Sequence, residues 1–97
     1  MNSDRVERII YMEQNLDIAK EALNNFENAL NKFLDVQVNI KELSDYYFSK
    51  QWMDDYDADN RGEIPQNLKR GVLSEDAAYN LICHNDELLK LLKHTEL

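Results

Sequence analysis

Apolar residues recur at alternating steps of three and four along the first third of the chain. Ile9, Met12, Leu16, Ala19, Leu23, Phe26, Leu30 and Phe33 form a stripe that follows a heptad. No Gly or Pro occurs from Asp4 to about Tyr47, so the spacing predicts one long helix over about 4–47. Ser3 or Asp4 is placed to cap its start, with Glu7 completing a capping box if Asp4 is the cap. Asn24, Asn25, Asn28 and Asn31 lower the helix propensity without ending the helix. The stripe continues through Val36, Ile40, Leu43 and Tyr47, but the step from Phe33 to Val36 repeats a three. Such a stammer overwinds or bends a helix locally. Unbroken, the helix would run roughly 65 Å, more than the C-terminal arm can cover. Either it is interrupted near Asp35–Asn39 or a second molecule covers the excess. The favoured expectation is a long, bent helix whose overhang is buried in a dimer.

Everything that breaks a helix falls in one window. Trp52, Gly62, Pro65 and Gly71 all lie there, between two helical arms. Ser49 is a suitable cap for a short helix carrying Trp52, Met53 and Tyr56, with Trp52 and Tyr56 on one face. Asn60-Arg61-Gly62 reads as a turn. Pro65 fits the first position of another short helix, Lys69 and Arg70 its C-terminus, and Gly71 the left-handed position beyond it. Ser74 is a good cap for a last helix over about 75–94, with Glu75 and Asp76 at its positive end. Ala78, Leu81, Leu88 and Leu92 form its stripe, widened by Ile82, Leu89 and Leu91. No segment alternates like a strand. The expected fold is all-α, a single helical domain over 1–97. Its parts are the long helix (about 4–47), a connector with one or two short helices (about 48–74) and a C-terminal helix packing back (about 75–94). The architecture is a coiled-coil-like helical hairpin or bundle.

Charge narrows the function classes. At 97 residues and a net charge of −8, the chain opposes direct binding to nucleic acid or anionic membranes, which need clustered Lys and Arg. An acidic surface suits solubility, a basic partner, or mimicry of a nucleic acid. One cysteine, Cys83, excludes an intramolecular disulfide framework and suggests a reducing compartment. Residues 1–8 lead into an amphipathic stripe rather than a signal-like apolar run, and no stretch approaches a membrane span. A cytoplasmic, soluble protein is expected.

The run Gln51-Trp-Met-Asp-Asp-Tyr-Asp-Ala-Asp59, then Leu68-Lys-Arg-Gly-Val-Leu-Ser-Glu-Asp-Ala77 and Tyr79, follows the pair Tyr46-Tyr47. Together these resemble the domain of unknown function 4298 family of small bacterial proteins. The likeness covers nearly the whole chain, from Glu7-Arg8-Ile9 to the C-terminal helix, and its specific part is residues 46–79. Where the family pattern often has a Gly after the paired tyrosines, this chain has Phe48-Ser49. The resemblance implies a short bacterial cytoplasmic protein and brings no activity or catalytic residues with it.

Candidate chemistry centres on the acidic stretch Asp54–Glu63. Asp57, Asp59 and Gly62 echo a calcium loop, but Arg61 falls at the fifth position and Leu68 at the twelfth, where oxygen ligands belong. No metal site or cofactor is assigned; the nearest thing to one is Asp55, Asp57, Asp59 and Glu63. His84 and His94 are too far apart on one helix to share a metal. Cys83 and His84 diverge by about 100° as helical neighbours. Glu42 and Asp45 share a face but lack a second carboxylate pair, and no nucleophile–base pair or phosphate loop is present. Catalytic residues are therefore none. Tyr46, Tyr47, Trp52, Tyr56 and Tyr79 suit either a partner anchor or a miniature core beneath the connector. The expected function is a non-enzymatic helical protein–protein interaction module acting as a homodimer or with a helical partner. Its interaction residues are Leu16, Leu23, Phe26, Leu30, Phe33, Trp52 and Tyr56. The alternatives are a carboxylate-based metal-binding or hydrolytic site around Asp54–Glu63, and an acidic nucleic-acid mimic that binds a basic protein.

Overall fold

A helix of 33 residues opens the chain, and the shorter elements after it hold all of the buried core. The computed structural model describes residues 3–94, among which all regular structure is helical. The elements are α1 (Ser3–Asp35), α2 (Gln37–Tyr47), α3 (Lys50–Asn60), a 3-10 turn at Gly71–Leu73 and α4 (Ala77–His94). Two compact units divide the chain, Met1–Gln37 and Val38–Leu97.

In the first unit α1 has no buried residue, and within it only Leu30 and Phe33 reach half-burial. Ser3 and Asp4 are already helical, so neither caps the helix; Asn2 lies outside the described residues. The expected single helix over 4–47 is two helices, interrupted at Val36. The Val36 N–H still donates to the Lys32 carbonyl at 3.1 Å. The Gln37 side-chain amide donates to the Phe33 carbonyl at 3.0 Å, the acceptor that a continuous helix offers to the backbone at that position. The break coincides with the repeated three-residue step, where two successive apolar residues no longer fit one helical stripe.

The second unit turns sharply after α2. Ser49 is extended, its Oγ donates to the Tyr46 carbonyl at 2.6 Å, and the same oxygen accepts from the Trp52 N–H at 3.3 Å. Ser49 thus makes the break between α2 and α3 without a glycine. At the far end of α3, Gly62 has φ +76° and donates to Asp59 O, while Glu63 donates to Ala58 O, both at 3.0 Å. That double bond pattern needs a left-handed residue, which glycine adopts without steric cost.

Beyond Gly62 the expectations fail in part. Pro65 opens no helix; one turn closes between the Leu68 N–H and the Pro65 carbonyl at 3.1 Å. Gly71 is not left-handed and starts the 3-10 turn instead. Ser74 caps as expected, accepting from the Ala77 N–H at 3.2 Å, and the regular helix begins at Ala77 rather than 75.

Trp52, Leu73, Ala78 and Asn85 are the buried residues among those described. α3 and α4 both pack on the 3-10 turn, and Leu73 is its buried residue. The inward line of α4 is Ala78, Ile82, Asn85 and Leu89, so the face is centred on the Ile82–Leu89 edge of the expected stripe, while Leu81, Leu88 and Leu92 are exposed. A polar residue occupies the centre of the true line and conceals it. Asn85 is partnered, as a buried amide must be.

Candidate functional site

The aromatic residues of the second unit converge through the ends of α2, α3 and α4. Tyr47 lies edge-on to Trp52, ring centroids 4.9 Å apart, and edge-on to Phe48 at 5.0 Å. Trp52 stacks on Tyr56 at 5.0 Å with an interplanar angle of 16°, as their spacing on one helical face demands. Tyr79 of α4 completes the group at 6.5 Å from Tyr47. The Ser49 cap matters here, because it starts α3 where Trp52 can point back beneath the connector.

Each polar tip has a defined acceptor. The Trp52 indole N–H donates to the Val72 carbonyl at 2.9 Å, and the Tyr47 hydroxyl to the Glu75 carbonyl at 2.9 Å. The Tyr56 hydroxyl donates to the Glu75 carboxylate at 2.7 Å, and the Tyr46 hydroxyl to the Asp55 carboxylate at 2.6 Å. The bonds to carboxylates favour the neutral phenols of Tyr46 and Tyr56. Burial, then the hydrogen bond to Asp55, pushes the Tyr46 hydroxyl up to about 12. The hydrogen bond to Glu75 raises Tyr56, and that with Cys83 raises Tyr79. Arranged this way, the rings hold residues 61–76 against the helices. Trp52 is 8% exposed, and its indole is fully engaged within its own chain.

The acidic stretch is not a loop. Asp55, Asp57 and Asp59 all lie in α3, and two residues along a helix turn a side chain by roughly 200°. Asp55 accepts from Tyr46. Asp59 pairs with Arg70 at 2.8 Å, both side chains about a quarter to a third exposed (25% and 32%). Glu63 pairs with Arg61 through both carboxylate oxygens, which lowers its pKa. Among the described residues, no three His, Cys, Asp or Glu side chains are gathered so as to hold a metal ion. His84 and His94 are exposed, and Asp45 pairs with Lys41 at 2.9 Å.

A groove of about 300 Å³ runs beside this stretch, with Ile64, Leu68, Val72 and Leu73 as its apolar lining and Tyr46, Asp55, Lys69 and Arg70 as its polar lining. A second, apolar notch of about 200 Å³ lies between Leu43, Gly71, Val72, Ala77, Ala78 and Leu81.

The other surface is the stripe of α1. Leu16, Leu23 and Phe26 are 58%, 69% and 57% exposed, whereas Leu30 and Phe33 are half-buried. The named interaction residues therefore separate: Leu16, Leu23 and Phe26 are available, and Trp52 is enclosed. Sequence reasoning missed Glu75, which accepts from two tyrosines. The only signal for it was the need of half-buried phenols for partners.

No helix among the described residues is long and apolar enough to cross a membrane. The family model described as domain of unknown function (DUF4298) matches residues 9–94. No curated protein and no solved structure matches the chain.

Proposed function

The chain belongs to the domain of unknown function 4298 family, and we propose that it is a non-enzymatic helical protein–protein interaction module. The exposed stripe of α1 carries this reading: Ile9, Met12, Leu16, Leu23 and Phe26 each leave more than half of their surface uncovered. In proteins most helical stability comes from packing of an amphipathic face rather than from intrinsic propensity, and the asparagines of α1 lower that propensity further. A helix of 33 residues with no buried side chain therefore gains its stability from something laid along the stripe. That cover is a second copy or a partner helix, seated by the heptad. The second unit folds around its own rings and serves as the body to which the helix is attached.

Leu23→Asp tests the proposal, because an unpaired carboxylate in a covered seam costs several kcal/mol. Sedimentation should show an assembly that the variant loses, and α1 amides should lose exchange protection while those of α3 and α4 keep it. Equal protection of α1 in a monomeric wild type and in the variant would refute the module.

A further inference from the structure

We infer that the occupant of the α1 stripe is the same stripe of a second copy, running antiparallel, with Leu16 of one chain set against Ala19 of the other. This rests on the interaction-module reading and specifies its partner.

The stripe divides into two alternating sets, Ile9, Leu16 and Leu23 in one and Met12, Ala19 and Phe26 in the other. In an antiparallel pair the first set of one helix faces the second set of its mate. The proposed register sets Ile9 against Phe26, Met12 against Leu23 and Leu16 against Ala19, each contact formed twice. Every layer then joins a different pair of side chains, and the small Ala19 always meets a leucine. All six residues are exposed within their own chain. The paired stretch ends before Leu30 and Phe33, the two residues of α1 that are already half-buried. The layers thus use the uncovered part of the stripe.

The charges beside the seam select the same register. Glu13 and Lys20 flank it on one side, and neither has an ion pair among the described residues of its own chain. The register brings Glu13 of each copy opposite Lys20 of the other. On the opposite flank Arg8 meets Ala29 and Asn15 meets Ala22, so no like charges face each other. Sliding one heptad towards the C-terminus would set Lys20 against Lys20 and Glu13 against Glu27. A parallel pair would join Arg8 to Glu13 but would place Ala19 against Ala19. The void so made between Leu16 and Leu23 outweighs an exposed ion pair. The area is sufficient too. Five large side chains per copy, each more than half exposed, together with the flanking residues, cover on the order of 1,000–1,200 Å² in total, the lower edge of specific interfaces.

Charge exchange on the full chain tests the arrangement. By sedimentation equilibrium at low salt, Glu13→Lys and Lys20→Glu should each raise the dissociation constant about five- to tenfold. The two together should return it to within about twofold of wild type. In a Cys83→Ser background, mixing Leu16→Cys with Ala19→Cys chains under mild oxidation should yield chiefly the mixed disulfide. A dominant Leu16→Cys homodisulfide, or a double variant weakened further, overturns the register; if Leu23→Asp still dissociates that dimer, the module stands. A wild-type monomer at every concentration overturns the second copy as occupant, and the module is then decided by the exchange of α1 amides alone.

Discussion

α1 and α3 are both regular helices, yet they stand at opposite extremes of burial. α1, 33 residues long, carries a heptad of apolar residues from Ile9 to Phe33 and buries none of them. α3 is 11 residues long, rich in aspartate, and buries the largest ring of the chain. Apolar periodicity therefore secures a helix and a direction for its face, but not a cover. In α3 a single indole with a polar tip reaches a backbone carbonyl and ties a loop-like segment over itself. Two kinds of stability are thus distinguished, one internal to the second unit and one that, under the proposed function, the first unit obtains by association.

Truncating one residue from each helix gives the sharpest contrast. Trp52→Ala removes a buried ring and its bond to Val72, and should cost about 3–5 kcal/mol in denaturant unfolding of the second unit. Leu23→Ala, measured where the chain is monomeric, should change that same transition by less than about 0.5 kcal/mol. Comparable losses from the two would erase the distinction.

A smaller effect is expected at the end of α3. Gly62 has φ +76°, and a Cβ there would meet nothing within 4 Å. Gly62→Ala should therefore cost about 1–2 kcal/mol from backbone strain alone. A neutral substitution in thermal unfolding would mean that the segment after α3 is not held as tightly as its bonds indicate.

The smallest effect is a titration. Tyr46 is raised from an ordinary 10.0 to about 12, so its neutral form is the one the fold favours. The stability it contributes is fully present below about pH 10 and lost as pH rises through about 12. Alkaline spectrophotometric titration should show a last phase near pH 12 that belongs to Tyr46. If Tyr46→Phe leaves that last phase in place, the Tyr46–Asp55 bond is not its cause.

The elements that were legible in the sequence are those set by local chemistry. Ser49 and Ser74 each satisfy an orphan N–H at a helix start, and Asn60-Arg61-Gly62 ends α3 through a left-handed glycine. Pro65 and Gly71 carried equally local signals that were not used. Arg70 is drawn to Asp59 across the connector, and the short run between them closes only a single turn. Asn85 was illegible because a polar residue in a buried line interrupts the pattern that reveals the line. The break at Val36 was signalled by spacing, and the Gln37 side chain supplies the means. Of the candidate site, the aromatic residues could be named from composition, but their acceptors could not.

Those acceptors carry a consequence for mutational drift. Trp52 and Tyr47 bond to the main-chain carbonyls of Val72 and Glu75, which every amino acid possesses. Substitutions at 72 and 75 would leave both of those ties in place wherever the backbone path is kept; only the Tyr56 bond depends on the Glu75 carboxylate. The connector is thus recognised by its course through space rather than by its letters. At those two positions its composition is free to wander, while Gly62, Leu73, Ser74 and the rings that grip it are not.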